Sequence, residues 1–158
     1  MRILFSFVCV LALGVVGCSG TAGADGSEFP EAEAAALQAA EEYLEAFNAC
    51  DWEAWAATFN YPHVRFTRSG SVTVWDTPEE FLATSNCEVF RALNPDWDHS
   101  TWDSVEIVQS GPDKVHIAIL ANRRDAEGNV LTTFETFHVM TNQDGHWGTQ
   151  ARSTYAPL

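Results

Sequence analysis

Apolar residues recur at helical spacing early in the chain. Within residues 31–49 they fall on one helical face, made of Leu37, Ala40, Leu44 and Phe47. Glutamates occupy most of the other positions, so this segment predicts an amphipathic helix, with Pro30 suited to its first turn. Residues 52–59 carry a bulky apolar stripe and predict a second, short helix, which Asp51 is placed to cap.

The pattern then changes to that of strands. Residues 63–67 and 71–75 are rich in β-branched and aromatic side chains and flank a three-residue loop that ends in Gly70, where a hairpin requires a positive φ. Counting back from the loop pairs His63 with Trp75. One face then holds His63, Arg65, Thr73 and Trp75, and the other holds Val64, Phe66, Val72 and Val74. We expect the aliphatic face to pack on the helices, which directs His63 towards solvent or a dimer partner.

A third helix follows the hairpin. Thr77 is its predicted cap, Pro78 suits the first turn, and Glu80 stands at the capping-box position. Asn94 and Pro95 end it. Four further strands are predicted from β-branched and aromatic runs that turn residues separate, at residues 101–109, 114–124, 130–141 and 146–155.

The element order is therefore α-α-β-β-α-β-β-β-β. Helices that are segregated from a long antiparallel sheet predict an α+β fold. The predicted domain covers residues 30–158, a length that is ordinary for one domain with its own core.

The first twenty residues, MRILFSFVCVLALGVVGCSG, have the form of a secretory signal. Residues 15–18 also resemble a bacterial lipobox, which predicts a signal peptide at residues 1–17, a lipid on Cys18 and a polar tether at residues 18–29. The alternative is an ordinary signal peptide in which Cys18 is incidental. Ser19 after the cysteine, by resemblance to enterobacterial lipoproteins, favours the periplasmic face of the outer membrane. We therefore expect a bacterial envelope protein whose membrane contact is its lipid anchor.

Charge and cysteine content narrow the partners and the compartment. The chain has 22 acidic and 8 basic residues, a formal charge of −14, which argues against nucleic acid or anionic lipid as a partner. In an oxidising compartment Cys50 and Cys87 either form a disulfide or remain two separate buried thiols. No histidine or cysteine pair has the spacing of metal ligands within one element, so we predict no metal and no cofactor.

The segments EYLEAFNACDWEAWAATFNYPHVRF, TVWDTPEEF and WGTQARSTYAPL resemble, in wording and order, the SnoaL-like branch of the nuclear-transport-factor-2-like superfamily. This resemblance implies a cone: a strongly curved antiparallel sheet wrapped around the N-terminal helices, with a pocket at its wide end. The superfamily includes ketosteroid isomerase and polyketide cyclases alongside members that only bind or dimerise, so the fold alone does not fix a function.

Several residues are candidates for the pocket or for chemistry. The predicted ligand-pocket residues are Tyr43, Trp55, Phe59, Trp102, His116, Phe134 and Arg152. Arg152 would favour a carboxylate, phenolate or enolate ligand, unless it forms a structural ion pair. The weak candidates for catalysis are His63, Asp103 and His116; Glu106 and Glu135 also interrupt β-forming runs and could face the interior.

Two functions remain open on the sequence. The first is a lipid-anchored envelope domain that binds a small apolar molecule or a partner protein, as a homodimer through its sheet. The second is a cofactor-independent isomerase, cyclase or dehydratase that acts in the cone pocket. A buried carboxylate or histidine that meets a hydrogen-bond donor inside the cone would favour the enzyme, and a pocket of apolar groups with paired arginine would favour binding.

Overall fold

The computed structural model describes residues 27–157. The predicted signal peptide, Cys18 and most of the tether lie outside these residues. The elements, in chain order, are α1 (Pro30–Asn48), α2 (Trp52–Ala57), β1 (Phe59–Phe66), β2 (Val72–Trp75), α3 (Pro78–Thr84), α4 (Cys87–Leu93), β3 (His99–Gly111), β4 (Lys114–Arg124), β5 (Val130–Gln143) and β6 (His146–Thr154).

The six strands form one curved, unclosed sheet in the order β2-β1-β6-β5-β4-β3. Every neighbouring pair is antiparallel except β1 and β6, which run parallel. The α+β cone predicted from the sequence is confirmed, with that one parallel pairing as the difference. The parallel pairing arises because β2 occupies one edge of β1, and the other edge is filled only by β6, the last strand of the chain.

Helix α1 lies against the inner face of the sheet, which we define as the face that packs on this helix. Its buried positions are small or aromatic: Ala36, Ala39, Ala40 and Tyr43. The alanines pack with Val115, Ile117 and Met140 in the centre of the core. Small side chains here let the helix approach the strands closely, while Tyr43 points beyond the alanine contact into an aromatic cluster around α2.

The predicted third helix is two helices in the structure. Thr77 accepts a hydrogen bond from the Glu80 backbone N–H at 3.3 Å, which confirms the predicted cap of α3. The chain is extended at Ser85 and Asn86, and the Asn86 side chain then accepts a bond from Val89 N at 2.9 Å to start α4. A second capping residue inside the segment interrupts the helix, because asparagine competes for backbone donors.

The hairpin has the predicted register but the opposite orientation. His63 pairs with Trp75 and Arg65 with Thr73, as the loop length predicts. His63 is nevertheless fully buried, whereas Val72 and Val74 are 54% and 53% exposed. The prediction that His63 faces away from the helices is therefore wrong. Its ring stacks on Phe59 with 4.1 Å between ring centres and an angle of 9°, so flat aromatic contacts fill this inner face.

A disulfide joins the α1–α2 turn to the start of α4. Cys50 and Cys87 are bonded, with their Cα atoms 5.5 Å apart. Of the two alternatives open on the sequence, the structure therefore has the bridge. It holds α4 beside α1 and α2, where Phe90 contacts Phe47 and Trp52 and where the cavity described next is found.

Candidate functional site

A cavity of about 220 Å³ lies between the inner face of the sheet and helices α1 to α4. Its aromatic wall consists of Tyr43, Phe47, Trp52, Trp55, Phe81, Phe90, Trp102 and Phe134. Its polar uncharged groups, all from residues that line the same space, are Thr84, Ser85, Asn86, Asn94, Ser100, Thr136 and Thr154. Apolar walls with a few convergent polar groups are the usual composition of a small-molecule site.

Five residues predicted for the pocket do line this cavity. They come from five different elements and from both halves of the chain: Tyr43, Trp55, Trp102, Phe134 and Arg152. Tyr43 contacts two other wall residues, with ring centres 5.4 Å from Trp55 and 6.2 Å from Trp102. The wall is therefore held by ring-to-ring packing before any ligand is present.

Two predicted pocket residues lie elsewhere. Phe59 is buried beneath the wall, where it stacks on His63, and it does not reach the cavity. His116 is on the outer face of β4, where its ring contacts Phe137 of the neighbouring strand β5. Side chains alternate along β4, and Val115 and Ile117 take the inner positions, so His116 points outwards. Burial and nearby Lys114 lower the pKa of His116.

The catalytic candidates are not gathered in the cavity. Asp103 is exposed on β3 and accepts a contact of 3.5 Å from Arg124, so it belongs to a surface ion pair. Glu106 and Glu135 are also exposed, in a shallow depression of the outer face. These three acids sit on strand positions that face water, which corrects the expectation of an interior carboxylate.

His63 is buried beside the cavity without lining it. Its Nδ1 lies 2.9 Å from the carbonyl oxygen of Thr149, which can only accept, so Nδ1 carries the proton. Its Nε2 has no hydrogen-bond partner within residues 27–157. Burial, and then the positive charge of Arg152, lowers the pKa of His63 to about 3. The imidazole is therefore neutral and structural at neutral pH.

Two arginines meet at one end of the cavity. Arg65 of β1 and Arg152 of β6 are register partners in the parallel pair, and both side chains line the space. Arg152 donates from Nη1 to the Tyr43 hydroxyl, and its guanidinium carbon lies 5.1 Å from the Trp55 ring centre. Burial, and then the like charge of Arg152, lowers the pKa of Arg65 to about 10, so Arg65 stays positively charged at pH 7.

A third arginine, Arg123 of β4, also lines the cavity. Its Nη1 donates to Asn94 Oδ1 at 2.6 Å and to the carbonyl oxygen of Pro157 at 3.0 Å. The guanidinium carbon lies 5.3 Å and 5.6 Å from the ring centres of Phe90 and Phe134. Burial lowers the pKa of Arg123. Neutral acceptors and aromatic faces hold the side chain without neutralising its charge.

Among residues 27–157 no acidic side chain lines this cavity, although the chain carries a formal charge of −14. The ion pairs found in that range are Arg124 with Asp103 and His99 with Asp98, both at the surface. The Nε atoms of Arg65 and Arg152 are buried without a hydrogen-bond partner in the described part of the chain. The cavity is therefore a half-buried site of positive charge. Within residues 27–157 Arg152 has no acidic partner, so the alternative of a structural ion pair is not found there.

His138 completes the wall between the aromatic groups and the arginines. It is 1% exposed, and its ring centre lies 5.0 Å from that of Tyr43. Burial, followed by the charges of Arg152 and His63, lowers its pKa to about 3. Its Nδ1 is buried with no partner in the described residues. A neutral imidazole thus faces the cavity.

Sequence reasoning missed Arg65, Arg123 and His138 as site residues. The strand alternation does carry a signal for all three, because Arg65 shares the face of His63, His138 shares that of Phe134, and Arg123 is in phase with Val115 and Ile117 on β4. The signal needs the correct inner face, and the face of the hairpin was predicted wrongly.

Neither a metal site nor a membrane span is found in the described residues. Within residues 27–157 no three His, Cys, Asp or Glu side chains are grouped so that they could hold a metal ion. None of the helices in that range is long and apolar enough to cross a membrane.

The fold matches many solved structures at low sequence identity. A ketosteroid isomerase-like protein from Erwinia carotovora atroseptica aligns with a TM-score of 0.59 and 22% identity, over 82% of this chain and 100% of that one. Aln2 from a Streptomyces species aligns with a TM-score of 0.63 and 17% identity, over 80% and 91% of the two chains. A Catenulispora acidiphila structure in complex with S-DNPA gives a TM-score of 0.58 and 15% identity, over 80% and 93%.

At these identities the structural matches show a shared fold and nothing finer. A search of curated proteins finds no significant match to the chain. A sequence family described as NTF2-like protein (DUF6841) matches residues 32–155, from the first turn of α1 to just beyond the end of β6. The resemblance to the superfamily is confirmed, while its SnoaL-like branch stays a prediction. Because the match takes in every helix and strand described here, the chain belongs to the NTF2-like family.

Proposed function

We propose that this domain binds a small, mostly apolar molecule through one anionic group, such as a carboxylate, phenolate or enolate. The observation that carries this proposal is the pair of unneutralised arginines, Arg65 and Arg152, in an aromatic cavity that no acid of the described residues lines. The anion sits against the guanidinium groups and the Tyr43 hydroxyl. The apolar part packs on Trp55 and Trp102.

The positive charges of Arg65 and Arg152 are unfavourable when no anion lies beside them. Arg65 and Arg152 are half-buried, so leaving each charge without a counter-charge costs less than the penalty of several kcal/mol for a fully buried ion, but it remains unfavourable. An anionic ligand neutralises it and adds charge-assisted hydrogen bonds, each worth about 1.5–3 kcal/mol. The Nε atoms of Arg65 and Arg152, which lack partners in the described chain, are donors available for such bonds.

The fold is compatible with this role, since the domain belongs to a family in which binding and catalysis both occur. The Catenulispora acidiphila structure with the same fold holds S-DNPA, and the Erwinia protein is ketosteroid isomerase-like. These neighbours support a small-molecule site in the cone and leave the choice of ligand to the residues of this chain.

A cofactor-independent isomerase, cyclase or dehydratase is the second candidate. The observation that favours it is the meeting of His138 with Tyr43 and Arg152, one potential proton acceptor beside two donors. However, the pKa of His138 is lowered to about 3, which makes its imidazole a weak base, and within residues 27–157 no carboxylate lines the cavity to replace it. A general base works best with a pKa near the working pH, so the arrangement favours binding.

The proposal can be tested with acids and their uncharged amides of nearly equal shape. We expect 2-naphthoate to raise the midpoint of thermal unfolding and to give measurable heats of binding, whereas 2-naphthamide does neither. The variant Arg152→Gln should lose the response to 2-naphthoate. The matched control is Arg68→Gln, which removes a positive charge from the exposed hairpin loop and should bind like the wild type.

Two results would contradict this function. If the acid and the amide bind equally, the arginines do not select the ligand. If Arg152→Gln binds the acid as well as the wild type does, while Arg68→Gln behaves the same, the anion is held elsewhere. Near-ultraviolet circular dichroism of each variant without ligand establishes that the aromatic wall is intact in the comparison.

The proposed setting is the bacterial envelope, with a lipid on Cys18 and a homodimer formed through the sheet. The support is the signal-like sequence of residues 1–20, which lies outside the described residues, and the apolar outer surface at Phe66, Val72 and Val74. Mass spectrometry of the protein from its host membrane would detect the lipid on Cys18, and light scattering would give the mass of the particle in solution. An uncleaved leader with unmodified Cys18 would rule out the anchor.

A further inference from the structure

The three arginines of the cavity fall into two separate groups. On the shared strand β5, the register partner of Arg152 is His138, and the register partner of Arg123 is Thr132. Six residues of strand at about 3.3 Å per residue separate those two positions by about 20 Å of backbone. Arg123 and Arg152 therefore enter one cavity from positions far apart along the sheet.

Their immediate contacts are also distinct. Arg152 is held by Tyr43 and Trp55, whereas Arg123 is held by Asn94, Pro157, Phe90 and Phe134. No residue occurs in both sets. The two guanidinium groups are consequently two candidate anion sites in one space. Among residues 27–157, a single carboxylate seated on Arg65 and Arg152 leaves Arg123 without a counter-charge.

Arg123 retains donors for a ligand. A guanidinium has five N–H donors, and the two on Nη1 are used by Asn94 and Pro157. Both acceptors are neutral, so they orient the guanidinium group of Arg123 and do not neutralise its charge. After burial and the charge of Arg152, the charge of Arg123 adds to the lowering of the pKa of Arg65, which is consistent with three cations in one space.

The wall between the two anion sites is suited to a flat ligand. On β5, Phe134 and Thr136 stand between the positions of Thr132 and His138, and both line the cavity. Trp102 faces the same space from β3. At about 220 Å³ the cavity is smaller than the common range for drug-sized ligands, which is about 300–1,000 Å³, so the ligand is compact.

We infer that the ligand of this site is a small dianion, a compact aromatic or alicyclic dicarboxylate whose two acid groups are separated by its apolar body. One carboxylate lies on Arg65 and Arg152, and the other lies on the free edge of Arg123. This inference rests on the proposed function and specifies the ligand that the site takes.

The test compares diacids with their monomethyl esters, which keep the length and apolar body and remove one charge. Isothermal titration is carried out with terephthalate, 2,6-naphthalenedicarboxylate and the monomethyl ester of each. For at least one of the two lengths we expect the wild type to bind the diacid about tenfold or more tightly than the ester, the effect of one charge-assisted hydrogen bond. Arg123→Gln should abolish this preference, so that the diacid binds this variant no more tightly than its ester does.

The neighbouring residue provides the matched control. Arg124 is on the other face of the same strand, where it contacts Asp103 and the Gly128 carbonyl oxygen. Arg124→Gln therefore removes the same charge from β4 without entering the cavity, and it should keep the full preference for the diacid. If Arg123→Gln does not fold, Arg123→Lys keeps the charge but loses the fork, and it should retain a reduced preference.

The outcomes separate the two claims. If each wild-type diacid and its ester bind equally, the dianion inference is wrong, while the proposed function stands. If a preference is found but Arg123→Gln or Arg123→Lys retains it in full, the second acid group does not lie on Arg123 and the inference is also wrong. If no acid binds the wild type at all, the proposed function itself fails.

Discussion

Lowering the pH from 7 to 5 should destabilise this protein, because two histidines must be uncharged to stay in its core. His63 and His138 are 0% and 1% exposed. Burial is the main cause that lowers both pKa values to about 3, and the positive charge of Arg152 adds to it for each. In the described part of the chain no acidic residue lines the adjoining cavity to compensate an imidazolium.

The sign and size follow from proton binding in the two states. Between pH 3 and 6.5 the unfolded chain binds protons on these histidines and the folded chain does not, so the free energy of unfolding rises with pH in this window. At pH 5, about 1.5 below the ordinary histidine pKa of about 6.5, protonation stabilises the unfolded chain by about 2 kcal/mol for each histidine. The pair therefore costs about 4 kcal/mol, a large part of an ordinary stability of about 5–15 kcal/mol.

Urea unfolding followed by tryptophan fluorescence at pH 7, 6 and 5, with constant ionic strength, measures this loss. His63→Phe keeps a flat ring against Phe59 and cannot titrate, so its unfolding free energy should fall by about half as much as that of the wild type. Substituting phenylalanine at both positions should make the curve nearly flat. A wild-type change below about 1 kcal/mol, or a double variant with the wild-type slope, would refute the reasoning.

Three further changes are expected to alter stability in denaturant unfolding. Arg65→Met removes a half-buried charge that has no acidic partner in the described residues, and it should stabilise the protein by about 1 kcal/mol, while Arg68→Met in the exposed loop has little effect. Destabilisation by Arg65→Met would contradict an unfavourable charge at this position. Cys50→Ser opens a bridge across 37 residues and should cost up to about 4 kcal/mol, after which added reductant should change nothing. Gly148→Ala places a methyl group 2.9 Å from a backbone oxygen and should lower the free energy of unfolding by about 1–3 kcal/mol. Gly111→Ala leaves 3.6 Å to the nearest backbone oxygen and should lower it less. Equal losses in the two variants would exclude the steric cause.

The order of helices and strands could be predicted because it depends on short-range patterns. The cap at Asp51 and the four late strands are local features, and the structure has them close to the expected bounds. The hairpin register followed from loop length alone. The break between α3 and α4 was missed because Asn86 was treated as a helical residue, although its side chain competes well as a cap.

The face of the hairpin could not be predicted by ranking side chains on hydrophobicity. Valine ranks above histidine, yet Val72 and Val74 face outwards and His63 faces the core. On the inner face His63 lies between two flat rings, with ring centres 4.1 Å from Phe59 and 5.7 Å from Trp75. The Thr149 carbonyl oxygen satisfies one imidazole nitrogen. Packing shape and one hydrogen bond outweighed the cost of burying a polar ring.

The charge of the site was hidden by the composition of the chain. With 22 acidic and 8 basic residues, the sequence as a whole argues against nucleic acid or anionic lipid as a partner. The structure separates the two signs, because acids line the outer strand positions while Arg65, Arg123 and Arg152 turn inwards. The exterior field repels anions over a Debye length of about 10 Å, but the half-buried arginines attract them more strongly at contact. Selection by such a site therefore depends on short-range fit to the arginines, which excludes large polyanions and admits a small acid that the cavity can enclose.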